Sequence, residues 1–317
     1  MEHYQFIWNG YKQGGNSHIS MDAFAAAVKQ EFKKLYGGRY AVNIVGSAAG
    51  NGVQKAAADI CGAGECLPVR ILLDAAYRSY TYGGTGMQEI CRNMAALYEK
   101  NKNALHRSED MLKDYKKAEQ SICCRLINAR MNAGMLSGMP HVLLHDLAIV
   151  FYVILDDLRG QLPVSRRMFD AWGTDVFTLK DRAVSNTRER FGSVIRPIAS
   201  MLMETMPKGL PWPENFLKDA GDAPQLYSVT NEQMYNGSVS ILYPGLLDGF
   251  AERTGSSFFI LPSSVHDVIF LPAENKDNAC AWKQLVKSVN AAESAREIIL
   301  SDNVYYYSRP DGQLLLM

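Results

Sequence analysis

Apolar positions recur along this chain with two different spacings. After Ser20, a good N-cap, Met21, Phe24, Val28, Phe32 and Leu35 share one helical stripe, and Gly37-Gly38 ends the element. A second helix opens behind the breaker Gly83-Gly84-Thr85-Gly86, with Met87, Ile90, Cys91, Met94, Leu97 and Tyr98 on its inner face. Near the C-terminus, Trp282, Leu285, Val286 and Val289 have the spacing of core positions on a third helix. Helical segments are also predicted over residues 166–206 and 245–253, the latter closed by Gly255.

Strand patterns fall at residues 40–45, from Val53 onward after turn-forming residues 46–52, and at 69–73, 122–129, 225–230, 238–242 and 304–307. Residues 147–155 are almost wholly apolar, as expected of a strand covered on both faces, with a turn at Asp156-Asp157. The clearest segment is residues 258–271. Two apolar runs, 258–261 and 265–271, flank the turn Pro262-Ser263-Ser264, and Pro272 ends the second run.

Strands and helices interleave without regular βαβ alternation. This predicts an α+β fold of mixed, mainly antiparallel sheets with packed helices in two lobes. Residues 1–19, polar apart from Phe6-Ile7-Trp8, read as a tail. Mixed charge over residues 101–117 marks a solvated helix face or connector and sets the boundary near residue 118. The lobes are then residues 20–118 and 119–317, and the Pro- and Gly-rich residues 206–224 form a loop inside the second.

Composition narrows the function classes. Of 317 residues, 47% are hydrophobic and 21% charged, which is ordinary for a folded globular chain. Lys plus Arg and Asp plus Glu number 33 each, so the basic surplus typical of nucleic-acid binders is missing and that partner is disfavoured. Zero net charge leaves homo-oligomerisation open. No signal peptide or membrane-length apolar run is read, so a cytoplasmic location without membrane attachment is expected. Six cysteines (Cys61, Cys66, Cys91, Cys123, Cys124 and Cys280) are then reduced thiols, and their spacing makes no structural metal site.

Several segments in order resemble one known family. They are residues 148–155 after Pro140-His141, then 227–231, 237–245 and 258–271, and finally Leu300-Ser301-Asp302 leading into Val304-Tyr305-Tyr306-Tyr307. The phrase Phe259-Ile260-Leu261-Pro262-Ser263-Ser264-Val265-His266-Asp267-Val268-Ile269 is the most specific. Together they resemble the bacterial family catalogued as domain of unknown function 5688, met chiefly in Firmicutes. That family has Glu where Asp267 stands. The resemblance implies an intracellular bacterial protein and brings no catalytic residues with it.

His266 is the first place to look for chemistry. Strand alternation puts Ser264 and His266 on one face and Asp267 on the other, so a Ser264–His266 nucleophile needs a distant carboxylate such as Asp302 or Asp248. A structural histidine explains the same pattern and is preferred. His141 and His145 have the i, i+4 spacing of a helical metal pair, but they run into the apolar strand and no Glu follows the first His. Gly46, Gly50 and Gly52 match no phosphate loop, and Gly83-Gly84-Thr85-Gly86 is at most a helix-start anion site. No metal and no cofactor is expected. Tyr305 and Tyr307 share a strand face without a basic cluster beside them, which favours packing over base stacking.

The leading expectation is a non-catalytic intracellular binding or regulatory module with a protein partner. The alternative is a hydrolase using Ser264 and His266 with Asp302. A weaker alternative is nucleic-acid binding through residues 100–117.

Overall fold

The structure, a computed structural model, describes residues 19–63, 68–155, 160–205 and 225–317. The tail at residues 1–19 (save Ile19), the turn at Asp156-Asp157 and the loop at residues 206–224 lie outside the described residues. The fold is α+β, its sheets antiparallel. The chain divides into two compact units. One runs to Ser121 and takes in Tyr152–Gly173, and the other comprises Ile122–Phe151 and Thr174–Met317. No helix of the described residues is long and apolar enough to cross a membrane.

The first unit packs helices on a three-stranded sheet. Helix α1 (Met21–Tyr36) starts where Ser20 Oγ accepts the Ala23 N–H and stops at Gly37, at φ +59°. Strands β1 (Tyr40–Gly50) and β2 (Val53–Gly62) are longer than the apolar pattern suggests, because residues 46–50 continue the ladder rather than forming a turn. Only Asn51 and Gly52 turn the chain, both at positive φ, which suits the right-handed twist of a hairpin. Strand β3 (Val69–Leu72) pairs with β2. Helices α2 (Asp74–Thr81) and α3 (Met87–Leu112) follow, and Phe24, Val28, Phe32, Ile60, Ile71 and Tyr98 form the core between helices and sheet. Helix α3 runs through much of the charge-mixed stretch. At its middle, Glu99 accepts from Lys102, Tyr40 and Arg39, and these partners, Lys102 first, hold its carboxyl down at about 2. Short helix α4 (Tyr115–Ala118) follows α3.

The second unit opens with β4 (Ile122–Asn128), short helix α5 (Ala133–Leu136), β5 (His141–Leu144) and the first part of β6 (Leu147–Leu155), which from Tyr152 on belongs to the first unit. Residues 147–153 of β6 are all buried, matching their unbroken apolar run. Strand β7 (Gly160–Pro163), paired with the end of β6, and α6 (Arg166–Trp172) return to the first unit, where Trp172 Nε1 donates to the Leu112 carbonyl at 2.9 Å. Helix α7 (Val176–Phe191) is tied to β4 by two polar contacts. Thr187 Oγ1 accepts the Cys124 N–H at 2.9 Å, and Asn186 Nδ2 donates to the Ile122 carbonyl at 2.8 Å. The helical pattern after residue 166 is interrupted by β8 (Val194–Pro197) before α8 (Ile198–Thr205).

A six-stranded antiparallel sheet completes this unit. Its members are β8, β9 (Tyr227–Thr230), β10 (Phe258–Leu261), β11 (Val268–Pro272), β12 (Tyr305–Ser308) and β13 (Gln313–Leu316), in the order β13-β12-β10-β11-β9-β8. Alternate side chains go to opposite faces. On one face, Phe258 meets Phe270, Phe250 and Tyr307 at ring distances of 4.7, 4.8 and 5.2 Å, Phe250 coming from the helix Leu246–Thr254. On the other, Phe259, Leu261, Leu271 and Tyr306 cluster with Val286 of the helix Ala279–Ala292. Leu285 and Val289 share that helix but are 49% and 57% exposed, so the expected core stripe is narrower than its spacing implies.

Two further departures from the pattern lie beside the sheet. Residues 238–242 are expected as a strand but form part of a largely buried 3-10 helix, Gly237–Leu242. The connection between β10 and β11 is not a three-residue turn either. Residues 262–267 all leave the ladder, since Leu261 pairs with Ile269.

The two departures fit together at Gly237. Its N–H donates to the His266 carbonyl at 2.9 Å, and the same oxygen accepts from Thr230 Oγ1 at 2.7 Å. A Cβ on Gly237 would lie 2.6 Å from the Asn231 nitrogen and 2.7 Å from that carbonyl oxygen, both backbone atoms that cannot swing aside. Gly237→Ala is therefore expected to destabilise the protein by about 3 kcal/mol. Urea unfolding measures this, and a change within ±0.5 kcal/mol would contradict the close approach.

Candidate functional site

The loop at residues 262–267 folds on its own polar groups. Ser264 Oγ accepts the His266 N–H at 3.0 Å and donates its proton to Asp267 Oδ1 at 2.7 Å, while the Ser264 N–H donates to the Asp267 carbonyl at 3.1 Å. A hydroxyl capturing the N–H two residues on is a local alternative to the strand ladder, and here it ends β-structure. The alternation argument separating Asp267 from Ser264 therefore fails, because neither residue is on a strand.

Facing this loop is a second one, residues 231–236, between β9 and the 3-10 helix. Asn231 organises it: Oδ1 accepts the N–H groups of Gln233 (3.1 Å) and Tyr235 (3.2 Å), and Nδ2 donates to the Tyr235 carbonyl at 2.8 Å. Met234 and Asn236 are held at φ +51° and +53°, conformations that side chains other than glycine adopt at a cost. Met234 is thereby turned out to solvent, 70% exposed.

The imidazole of His266 lies between the two loops. It stacks on Tyr235 with ring centroids 5.1 Å apart, and its Nδ1 accepts the Asn236 N–H at 3.1 Å. An Nδ1 that accepts carries no proton, so the neutral ring has its hydrogen on Nε2. Burial pushes the imidazolium below its usual 6.5. The Asp267 carboxylate opposes that shift and the Arg125 guanidinium of β4 adds to it.

Of the residues expected to act together, Ser264 and His266 are neighbours, but the serine hydroxyl bonds Asp267 and not the ring. Asp302 accepts from Asn290 Nδ2 at 2.8 Å, and Asp248 accepts from the Tyr307 hydroxyl, so each candidate third carboxylate has its own partner. His141 Nδ1 faces the Met139 carbonyl at 3.0 Å, and His145 Nε2 faces the Leu314 carbonyl at 3.1 Å. One begins a strand and the other, at φ +54°, makes its turn, so helical spacing does not apply to them. Among the described residues, no group of three or more His, Cys, Asp or Glu side chains could hold a metal ion.

Two polar centres have no strong sequence signal. Asp146, in the β5–β6 turn, accepts from Ser301 (2.5 Å), Asn303 (2.9 Å) and Tyr305 (2.6 Å) and anchors the start of β12. That burial and that carboxylate together push the Tyr305 phenol well above its ordinary range. The other is Arg125, which stands in β4 between the fully buried Cys124 and Leu126. A cleft of about 480 Å³ on the same unit is lined by Leu143, Leu144, Ile149, Val184, Arg188 and Leu242, and neither Ser264 nor His266 lines it.

The depressed His266 pKa fixes a sign. The unfolded chain takes up a proton near 6.5 that the folded ring resists, so stability is full above that value and falls as pH drops through and below it. His266→Asn keeps an acceptor near the Nδ1 position and removes the titration. The variant is expected to lose less unfolding free energy than the wild type between about pH 7 and about pH 5. Equal losses in parallel urea titrations would contradict the assignment.

Comparison with curated proteins returns no match, and comparison with solved structures returns none either. A family model does match, over residues 21–309, nearly the whole chain and both units just described. The chain belongs to the family of unknown function DUF5688.

Proposed function

We propose that this chain is a non-catalytic binding or regulatory module of the bacterial cytoplasm, with residues 231–237 and 262–267 as its recognition surface and a protein as its partner. One observation carries the reading: His266 Nδ1 accepts a backbone N–H. Its neutral ring therefore offers a donor at Nε2, where a general base for Ser264 would need a lone pair. The Ser264 proton is already directed to Asp267 at 2.7 Å. Both features favour holding a ligand over attacking one. A loop pair with two residues at positive φ, set on a rigid sheet, is also a common way to present recognition groups. The cytoplasmic setting is supported by Cys91, Cys124 and Cys280, which are thiols and not disulfides.

Treatment with a fluorophosphonate, which traps activated serines, followed by intact-mass analysis tests the reading. No adduct at Ser264 is expected. Ser264→Ala should instead act on stability, costing about 1–2 kcal/mol through the two lost hydrogen bonds. An adduct at Ser264 that disappears in His266→Asn would establish the hydrolase reading in its place.

A further inference from the structure

The cleft between β5 and α7 has aliphatic walls. Leu143, Leu144, Ile149, Val184 and Leu242 line its volume of about 480 Å³, and among the described residues no aromatic ring does. Two of its charges cancel, since Lys180 Nζ meets Asp181 Oδ1 at 3.1 Å. Arg188 and Pro244 line this cleft and also a smaller one of about 270 Å³, so the two adjoin. Arg188 Nη1 donates to the Pro244 carbonyl at 3.3 Å, which holds the guanidinium at the seam. Arg253 lines the smaller cleft from the helix Leu246–Thr254, its guanidinium 5.3 Å from the Phe250 ring centroid. Among the described residues neither arginine makes an ion pair, and no Asp or Glu lines the smaller cleft. Asp248, on the same helix, accepts from the Tyr307 hydroxyl instead. The cleft is open at Gly249, where a Cβ would meet no atom within 4 Å.

Two guanidiniums on one small cleft repel each other, and a chain with as many acidic as basic side chains places none between them. An anion there is attracted by both. A carboxylate brings one charge and two oxygens. A phosphate monoester brings close to two charges and three acceptor oxygens, so each arginine can take its own. The adjoining cleft decides what the phosphate carries. A nucleobase calls for an aromatic face to stack on, and the walls offer none. Saturated walls beside a charged seam match an alkyl chain, whose burial contributes about 0.8 kcal/mol per methylene. The volume of the larger cleft is within the range of small-molecule sites.

We propose that the two clefts form one binding site for an alkyl phosphate, its phosphate held by Arg188 and Arg253 and its chain lying along Leu143, Val184 and Leu242. None of residues 231–237 or 262–267 lines either cleft, so the inference goes beyond the recognition surface above and does not depend on it.

Isothermal titration calorimetry of the full chain with octyl phosphate, kept below its micelle concentration, tests the site against octanoate, octanol and inorganic phosphate. Octyl phosphate should bind at least about tenfold more tightly than each of the others. Arg188→Gln and Arg253→Gln should each weaken it at least about tenfold. Gly249→Leu sends a side chain into the smaller cleft from a helical position and should abolish binding of octyl phosphate and inorganic phosphate alike. Leu143→Asn should weaken octyl phosphate about threefold and leave inorganic phosphate unchanged. All four substituted positions are exposed, so the variants keep the wild-type fold, which far-UV circular dichroism checks. The proposal is overturned if octyl phosphate gives no saturable heat, if octanoate binds more tightly than it does, if inorganic phosphate binds as tightly, or if both glutamine variants bind as the wild type does.

Discussion

At Gly237 two stretches of backbone approach so closely that the glycine N–H reaches the His266 carbonyl at 2.9 Å, with no space for a side chain between them. Much of the local structure depends on that approach. It stitches the end of β9 to the excursion between β10 and β11, and Thr230 reinforces it by donating to the same oxygen. With Gly237 fixed there, the preceding residue brings its N–H to His266 Nδ1, and Tyr235 comes to rest against the imidazole face. The tautomer of His266 is thus a consequence of chain packing, set before any ligand arrives.

The rest of the second unit serves to make that approach rigid. Phe258, Phe270, Phe250 and Tyr307 pack edge and face on one side of the six-stranded sheet, and Phe259 and Tyr306 do so on the other. Such contacts add specific geometry to the burial of large apolar area. Asp146, gathering three donors from residues 301–305, fixes where β12 enters the sheet. The loops that carry Asn236 and His266 therefore emerge from a sheet whose register is determined on both faces. That combination of stiff scaffold and polar loops suits recognition.

Elements whose signal is local were legible in the sequence. Ser20 and Gly37 marked α1 to the residue, the unbroken apolar run marked β6, and the two runs around residue 262 marked β10 and most of β11. Three features were not, each because a tertiary or side-chain contact outweighs periodicity. Val265 extends the apolar run, yet Ser264 captures the His266 N–H and closes a loop instead. Residues 238–242 have a strand-like pattern, but Ser238 and Ser240 donate to the carbonyls of Val265 and Thr230, side-chain bonds that fit a 3-10 helix against its neighbours. Leu285 and Val289 have core spacing, but the sheet they would cover is already filled by Trp282 and Val286. For the site itself, His266 and Ser264 were found by residue type alone. Asn236 was missed because its role, a backbone N–H donated to His266 Nδ1, depends on an approach of two loops that only three dimensions disclose.

The central claim is that backbone packing fixes His266 as a donor at Nε2, and nitrogen NMR of the imidazole in the unliganded full-length chain tests it most directly. The account predicts a neutral ring at about pH 7 with an unprotonated Nδ1 and a protonated Nε2, the ring charging only below 6.5. A proton found on Nδ1 at that pH, or a ring already charged, would contradict it.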